Sequence, residues 1–328
     1  MRAFVVSEVD DTLSMGLQDV PAVATDANDL LIAVEFSGVN FKDAMVAAAK
    51  SRVRRVASLV AGVDAAGTIV ESTDPTLPAG SRVAVHGDSL GVARDGGFAQ
   101  FIYSPARYVT ALPESLSTRA AMIIGTAGFT AMESLLALED HGLAAGSEVL
   151  VTGATGGVGS QAVAYLAALG YRPVASTGSS AATQWLMERG AIRVIGRDDV
   201  ADKPGRVLAT ETWDGAIDCV GGETLAQILR SLRYGAAVAA SGLVASPELA
   251  TTVYPFITRS VSLLGVDSVE ATSDTRTRVW SALGEVAPRV NFEALMDREV
   301  RLEELTSALS DVRDGTTRGR ILVNPTPG

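Results

Sequence analysis

The sequence predicts an α/β fold in which a mainly β domain precedes a doubly wound parallel sheet. Three features predict it: short β-prone runs in the first third, alternating strand and helix patterns after residue 148, and a glycine-rich turn where that alternation begins. A length of 328 residues suits two domains, each with its own core. Hydrophobic residues make up 47% and charged residues 20% of the chain, which is typical of a folded enzyme.

The β-prone runs of the first third are separated by Gly, Pro and Asp residues. They predict strands at residues 30–36, 66–70, 82–86 and 98–103, and a mainly β domain that ends near Pro113. Two helices are expected next, at 117–124 and 130–138, because Gly125 and Gly128 interrupt the apolar pattern between them.

From residue 148 the strands and helices alternate, which predicts a parallel sheet with crossover helices. The remaining expected elements are strands at 148–152, 173–176, 193–195, 215–219, 236–240 and 261–266, and helices at 158–169, 181–189 and 224–232. The tail is expected to form a helix at 302–313 and a strand at 320–323 that returns to the first domain.

Charge and cysteine content restrict the partners. A net charge of −11 disfavours nucleic acid, because an acidic surface repels phosphate backbones. Cys219 is the single cysteine, so the chain can form neither an intrachain disulfide nor a cluster of cysteine metal ligands. The N-terminus lacks the apolar core of a signal peptide, and no run of about 18 apolar residues could cross a bilayer. We expect a soluble, cytoplasmic protein with no membrane partner.

A glycine-rich loop follows the first strand of the alternating region. It reads Gly153-Ala154-Thr155-Gly156-Gly157-Val158-Gly159 and opens a helix, where a Rossmann fingerprint must lie. Gly156 would let the backbone approach a diphosphate, and Gly159 would allow close packing of helix on strand. Amide groups at the helix start would stabilise the phosphate charge. The loop therefore predicts dinucleotide binding, although Ala154 replaces the first glycine of the usual pattern.

The end of the second strand distinguishes NADH from NADPH. An acidic residue there would bond the ribose hydroxyl and repel a 2′-phosphate, but this chain has Thr177, Gly178 and Ser179. Arg197, after the third strand, could supply positive charge to a phosphate or lie in solvent. The sequence therefore predicts NADPH as the cofactor.

Three blocks carry a family resemblance: Gly38-Val39-Asn40-Phe41-Lys42-Asp43-Ala44, Gly125-Thr126-Ala127-Gly128-Phe129-Thr130-Ala131 and Gly156-Gly157-Val158-Gly159. They resemble the quinone oxidoreductase branch of the medium-chain dehydrogenase/reductase superfamily. The blocks at 251–257 (TTVYPFI) and 265–269 (GVDSV) are similar to its acrylyl-CoA reductase subfamily. The resemblance runs over nearly the whole chain.

The resemblance implies a GroES-like catalytic domain at residues 1–122 and 290–328 and a Rossmann NADP-binding domain at 123–289. The active-site cleft is then expected where the domains meet. Family members are usually homodimers joined through the last Rossmann strand, here about 261–266.

The resemblance also implies zinc-independent chemistry. Zinc-dependent relatives carry a cysteine ligand where Asn40 stands, and a Gly-His-Glu stretch where this chain has Gly62-Val63-Asp64. Two departures from the family pattern are Phe41, where relatives have Tyr, and Ser179, where they usually have Arg. Phe41 keeps the ring but has no hydroxyl to donate.

The family pattern places Asn40, Phe41, Asp43 and Thr126 beside the nicotinamide. Asn40 is expected to orient the substrate through its amide. Asp43 is either catalytic or structural, in the second case by accepting hydrogen bonds from backbone amides. Further cofactor contacts implied by position are Thr155, Gly156, Gly157, Val158, Leu243, Ile257, Ser268 and Arg320, of which Leu243 and Ile257 could instead be plain core residues.

The leading functional hypothesis is NADPH-dependent reduction of an activated C=C bond. The substrate would be acrylyl-CoA, which gives propionyl-CoA, or another short enoyl-CoA. A quinone or enone oxidoreductase is the alternative enzyme, and a nucleotide-binding module without turnover is the non-enzyme alternative. The basic residues Lys50, Arg52, Arg54 and Arg55 could contact the phosphates of a coenzyme A tail or lie in solvent.

Overall fold

A computed structural model describes residues 1–200 and 207–326. The chain divides into two compact units. Unit 1 consists of residues 1–127 together with the chain from Ser268 onward, and unit 2 consists of residues 128–267.

The elements are numbered in chain order. The strands are β1 (Arg2–Val9), β2 (Thr12–Asp19), β3 (Leu30–Val39), β4 (Ser58–Val60), β5 (Asp64–Glu71), β6 (Arg82–His86), β7 (Phe101–Ser104), β8 (Val109–Ala111), β9 (Glu148–Val151), β10 (Arg172–Ser176), β11 (Arg193–Ile195), β12 (Gly215–Asp218), β13 (Ala237–Ala240), β14 (Ser262–Gly265), β15 (Met296–Arg301) and β16 (Arg320–Asn324). The helices are α1 (Phe41–Val46), α2 (Thr118–Asp140), α3 (Gly157–Ala168), α4 (Thr183–Met187), α5 (Gly222–Ser231), α6 (Tyr254–Arg259), α7 (Ser273–Val286) and α8 (Leu305–Arg313).

Unit 1 is built on a mainly antiparallel sheet in the order β15-β16-β3-β5-β6-β8, with β7 paired to β3 and a smaller sheet β2-β1-β4 beside it. The predicted return of the C-terminal strand is confirmed, because β16 pairs with β3 and sets Ile321 opposite Val39. α8 covers this part of the core with Leu305 and Leu309. The pairing brings the last strand next to the chain that leads into α1.

Unit 2 is a parallel sheet in the order β11-β10-β9-β12-β13-β14. From β9 the chain adds β10 and β11 on one side and β12 to β14 on the other, which confirms the predicted doubly wound fold. Leu150, Val174 and Val238 are fully buried, because a parallel sheet has helices on both faces. In such a sheet ligands bind beyond the carboxyl ends of the strands where the order reverses, here β9 and β12.

The compact units differ from the predicted domain boundaries at 122/123 and 289/290. The second boundary differs more: unit 1 resumes at Ser268 and not at residue 290, because α7 packs on β6 of unit 1. The Trp280 indole donates a hydrogen bond to Nε2 of His86 (3.3 Å), and Arg276 donates to the His86 carbonyl oxygen (2.8 Å). These contacts fix residues 273–286 to the first unit, although they follow the Rossmann strands in sequence.

The two helices predicted at 117–124 and 130–138 are both present: they form the two segments of α2, which are separated by a kink at the non-helical Gly125 (φ +52°, ψ −163°). The second glycine does not end the helix: Gly128 provides space for Gln161 and Tyr165 of α3. α2 is the one described helix long and apolar enough to span a membrane, but 78% of its apolar window is buried. This burial and the break are typical of a core helix.

Candidate functional site

The glycine-rich loop joins β9 to α3 in a tight turn. Gly153 has φ +59°, a conformation in which a side chain would be strained. A Cβ at Gly159 would lie 2.8 Å from the Ala154 Cα, so α3 can approach the loop this closely only with glycine there. Both glycines therefore serve the shape of the turn, as the fingerprint predicts.

The same loop has the features of a phosphate site. α3 begins at Gly157 with Gly156 as its N-cap and with no side chain capping its free amides. Gly156 is exposed, and a Cβ there would contact only the Gly153 carbonyl oxygen at 3.3 Å. The predicted residues Thr155, Gly156, Gly157 and Val158 lie at this helix start, where amides and helix dipole favour an anion. The residues present therefore fit a dinucleotide diphosphate.

A buried carboxylate supports the loop from the neighbouring strand. Asp218, at the end of β12, accepts a hydrogen bond from the Thr152 hydroxyl (2.6 Å) and another from the Gly221 amide (2.8 Å). Burial raises its pKa. Because Thr152 precedes the glycine turn, this contact ties the turn to the end of β12.

The predicted adenosine end is assembled beyond β10. The Thr177 amide bonds the Ile195 carbonyl (3.1 Å), and the Ser179 amide donates to the Thr177 hydroxyl (3.1 Å). The exposed Arg197 lies so close to Gly178 that a Cβ on this glycine would be 2.5 Å from the Arg197 Nε. The structure thus brings Thr177, Gly178, Ser179 and Arg197 together, in an arrangement that suits a 2′-phosphate.

Two other predicted cofactor contacts of unit 2 are open to solvent. Leu243 is 58% exposed and Ile257 is 71% exposed. At this exposure neither is a core residue, which was the other possible role for an apolar side chain at these positions. Their contact with cofactor remains a prediction.

In unit 1 the predicted residues around α1 form a buried polar centre. Asn40 caps α1, and its backbone amide donates to Asp43 Oδ2 (2.8 Å). The Asn40 side-chain Nδ2 donates to Asp64 Oδ2 (2.8 Å) and to the Gly38 carbonyl (3.3 Å). Asp64 also accepts from the Thr126 amide and from its hydroxyl, the latter at 2.5 Å.

Arg320 completes this centre from β16. Its guanidinium donates to Asn40 Oδ1 (2.8 Å) and forms a buried ion pair with Asp64 Oδ2 (3.3 Å). A Cβ at Gly38 or Gly125 would lie within 2.5 Å of the guanidinium or of Asp64, so both glycines make room for the ion pair. Because Arg320 is buried, the prediction that it contacts the cofactor is replaced by a role in holding Asn40 and Asp64.

Asp43 has the structural role that sequence analysis kept as an alternative. It is fully buried, and its Oδ1 accepts from the Val63 amide (2.9 Å) while Oδ2 accepts from Asn40. Burial raises its pKa to about 7, with a smaller contribution from the Asp64 charge. A carboxyl group so enclosed cannot contact a substrate, so the structure does not support the catalytic alternative.

The remaining predicted residues of unit 1 differ in exposure. The Phe41 ring is 40% exposed at the start of α1, Thr126 is half-buried, and Ser268 is buried. Every polar atom of the Asn40 side chain has a partner within unit 1, so Asn40 would bind a substrate only by giving up one of them.

The positions of the zinc ligands in zinc-dependent relatives do not fit zinc here. Val63 stands where those relatives have histidine and offers no ligand atom, while Asn40 at the cysteine position and Asp64 at the glutamate position bond to each other and to the cationic Arg320. A metal ion would have to displace the guanidinium, and an amide is a poor substitute for a thiolate. Among residues 1–200 and 207–326, no three His, Cys, Asp or Glu side chains form a potential metal site.

Sequence reasoning missed Asp64 as a site residue. It is the one acid in an apolar stretch, and a buried carboxylate requires a cation or several donors. That signal was present, but its partner Arg320 lies 256 residues away and could not be paired with it from sequence.

Family models match the two parts of the chain separately, and the second match extends beyond unit 2 into α7 of unit 1. A family model described as alcohol dehydrogenase GroES-like domain matches residues 26–114, and one described as zinc-binding dehydrogenase matches 157–285. The chain is 42% identical to "Putative quinone oxidoreductase YhfP" of Bacillus subtilis, over 95% of both chains. It is 40% identical to acrylyl-CoA reductase AcuI of Ruegeria pomeroyi, over 94% of this chain and 92% of AcuI.

A solved structure is similar over the full length. The yhdH oxidoreductase of Salmonella enterica in complex with NADP has a TM-score of 0.94 and 38% identity, and the match covers 99% of this chain and 100% of that one.

Proposed function

The chain belongs to the quinone oxidoreductase branch of the medium-chain dehydrogenase/reductase superfamily, and on this premise we propose that it reduces the activated C=C bond of a short enoyl-CoA, acrylyl-CoA first among them. It is an NADPH-dependent oxidoreductase. The observation that carries the substrate class is the 40% identity to AcuI, together with a polar centre that has no zinc ligand set.

The cofactor is held by residues of unit 2. The loop 155–158 would bind the diphosphate, and Thr177 to Ser179 with Arg197 would bind the adenosine ribose and its phosphate. When bound, NADPH supplies the hydride for the β-carbon of the alkene. The remaining demands of the reaction, binding, orientation and proton delivery, fall to the protein.

The polar centre favours conjugate reduction over carbonyl reduction. Zinc-dependent carbonyl chemistry uses the metal as a Lewis acid, and Asn40 and Asp64 are already bonded to Arg320. Conjugate reduction does not require a metal ion, because hydrogen-bond donors can stabilise the charge that develops on the thioester oxygen. Arg320 and Asp64 hold Asn40 in place, and the Asn40 amide would donate to this oxygen by giving up its longer hydrogen bond, the one to the Gly38 carbonyl.

Proton delivery is assigned to water. Phe41 has no hydroxyl, and Asp43 is enclosed by backbone amides. The half-exposed Phe41 ring can shield the reacting carbons on one side, while water protonates the α-carbon. Phe41→Tyr would test this assignment: it should leave the rate with the thioester within a few-fold, whereas a large gain would show that residue 41 controls protonation.

The substrate is tested by following NADPH absorbance with acrylyl-CoA and with a simple quinone at matched concentrations. The proposal expects kcat/KM for acrylyl-CoA at least tenfold above that for the quinone, with propionyl-CoA as the product. Deuteride from labelled NADPH should appear at the β-carbon. Faster turnover of the quinone would make the chain a quinone reductase. NADPH binding without turnover of any electrophilic alkene would support the nucleotide-binding alternative.

We also propose a homodimer joined through β14. Among the residues that the structure describes, this strand pairs with β13 alone, and its Leu263 is exposed, so it offers a free edge to a second copy. Sedimentation should give twice the monomer mass, and Leu263→Lys should shift it toward the monomer. A monomeric wild-type chain at micromolar concentration would contradict this assembly.

A further inference from the structure

The segment between Asp43 and Asp64 differs in charge from the rest of the chain. It contains Lys50, Arg52, Arg54 and Arg55 and no carboxylate, although the chain as a whole has 38 Asp and Glu residues. Its cations lie in the loop that joins α1 to β4. A local positive charge on a protein of net charge −11 requires an explanation.

The loop is fastened to the end of α1. The Ser51 hydroxyl donates to the Met45 carbonyl (2.7 Å) and accepts from the backbone amides of Val53 (3.1 Å) and Arg54 (3.0 Å). Farther along, the Arg55 amide bonds the Val92 carbonyl (2.9 Å). These bonds fix the backbone on which the basic side chains are carried.

Two of the four cations have partners in unit 1. Arg54 is almost fully buried, pairs with Glu8 and donates to the Val46 carbonyl (2.6 Å), so its role is structural. Lys50 lies 3.9 Å from Asp11, but both side chains are mostly exposed, and a surface pair of this kind is weak.

The other two cations are uncommitted. Arg52 and Arg55 are exposed, and within residues 1–200 and 207–326 neither guanidinium has a hydrogen-bond or ion-pair partner. The neighbouring carboxylate of Glu8 is already paired with Arg54. The loop therefore presents two free guanidinium groups on a rigid backbone.

The placement of this pair follows from α1. Phe41 and the polar centre lie at the start of the helix, and the basic loop begins just after its end. Six helical residues span about 9 Å at roughly 1.5 Å per residue. The flexible pantetheine arm of coenzyme A is long enough to cover a distance of this order, with its thioester at one end and its phosphates at the other.

We propose that Arg52 and Arg55 bind the phosphate groups of the coenzyme A substrate, with the 3′-phosphate as a principal contact. The inference rests on the proposed function, because only a coenzyme A thioester carries these phosphates. Guanidinium groups bind phosphate oxygens through paired, charge-assisted hydrogen bonds. On a protein of net charge −11, the pair also directs the anionic end of the substrate to one place.

The test measures binding without turnover. The Kd of coenzyme A and that of dephospho-coenzyme A, which lacks the 3′-phosphate, are measured by calorimetry with saturating NADP⁺ to block the cofactor site. The variants are Arg52→Ala/Arg55→Ala and a control with the same charge change at exposed arginines of unit 1, Arg2→Ala/Arg313→Ala.

The proposal expects the first variant to bind coenzyme A about tenfold more weakly or worse, with a much smaller change for dephospho-coenzyme A, and the control to bind as wild type does. A change below twofold would overturn it. So would an equal loss in the control, equal losses for both ligands, or a wild-type chain that does not bind coenzyme A.

Activity on a truncated substrate separates this inference from the proposed function. The wild-type chain should reduce the acrylyl thioester of pantetheine, which has no nucleotide phosphates, and the Arg52→Ala/Arg55→Ala variant should do so with unchanged kcat/KM. If the wild-type chain reduces this thioester and the variant binds coenzyme A as wild type does, the proposed function stands and the proposed phosphate site is wrong. Failure to reduce either thioester would remove the proposed function, while the binding comparison would still decide the phosphate site.

Discussion

The diphosphate loop of unit 2 and the polar centre of unit 1 are built in opposite ways. The loop is one stretch of seven residues, 153–159, whose shape depends on glycines within it. The polar centre joins Asn40, Asp64, Thr126 and Arg320, and the pairing of Asn40 with Arg320 spans 280 residues. A local site tolerates changes elsewhere in the chain, whereas a dispersed site depends on the register of strands and on every partner.

The largest expected effect follows from breaking the dispersed site. Arg320→Leu leaves the Asp64 carboxylate buried without its cation, and removing one partner of a buried pair costs about 3–5 kcal/mol. Urea unfolding should show this loss of stability, while Arg313→Leu on the surface should change it by less than about 0.5 kcal/mol.

The Arg320→Leu/Asp64→Asn double variant should be less destabilised than the sum of the two single variants, because it no longer buries a charge. A loss below about 1 kcal/mol for Arg320→Leu would mean that water reaches Asp64. The polar centre would then not depend on its distant partner, and the comparison of the two sites would be wrong.

At the local site, the diphosphate loop, two glycine variants should affect stability and NADPH affinity differently. Gly159→Ala forces a methyl group against the backbone of the loop and should cost about 1–3 kcal/mol of stability, as overpacking does. Gly156→Ala places its methyl group 3.3 Å from the Gly153 carbonyl oxygen, a tight contact that a small shift can relieve, and φ is an ordinary −78°, so the cost should be about 1 kcal/mol or less and below that of Gly159→Ala. The methyl group would lie where the diphosphate approaches, so the Kd for NADPH should rise about tenfold or more. If Gly156→Ala binds NADPH as wild type does, the diphosphate lies elsewhere.

These two sites explain how much the sequence could predict. The loop and the doubly wound parallel sheet were predicted because a contiguous motif and alternating periodicity specify them locally. The role of Arg320 was not predicted, because it follows from the alignment of β16 on β3, which sets Ile321 opposite Val39. No property of Arg320 alone distinguishes a buried partner of Asp64 from a cofactor contact.

α7 was missed for a different reason. Val279, Trp280, Leu283 and Val286 recur at helical spacing and are all buried, and Thr272 caps the first turn. The helix could therefore have been predicted, but its attachment to unit 1 depends on the contact of Trp280 with His86, which lies 194 residues away. Local signals predict elements, and distant contacts decide the unit to which an element belongs.

A smaller effect is expected at the adenosine end of the local site. Arg197→Gln removes the cation beside Gly178, so the Kd for NADPH should rise about tenfold, equivalent to roughly 1.4 kcal/mol, while the Kd for NADH stays within twofold. Arg172→Gln, an exposed arginine at the opposite end of β10, is the control. Equal weakening for both nucleotides would show that Arg197 shapes the loop and does not read the phosphate.

The smallest expected effect is a pH dependence of the unfolding free energy, and it arises from Asp43, which bonds to Asn40 of the dispersed site. Burial raises the pKa of Asp43 from 3.8 to about 7, so between these values the folded chain keeps a proton that the unfolded chain releases. The stability from this group is therefore full below about pH 4 and is lost as the pH rises through about 7, a loss of roughly 1 kcal/mol between pH 6 and pH 8.

Asp43→Asn should be less stable at every pH, because an amide cannot accept from both Asn40 and Val63, but this part of its pH dependence should vanish. Urea unfolding at pH 6 and pH 8 gives the pH dependence of stability for the wild-type chain and the variant, and titrating groups that do not interact with Asp43 cancel in the comparison. If the unfolding free energy changes equally with pH in both chains, Asp43 has the same pKa in the folded and the unfolded chain. Its burial within the polar centre would then have no effect on its protonation, and the dependence of this dispersed site on its partners would fail at Asp43.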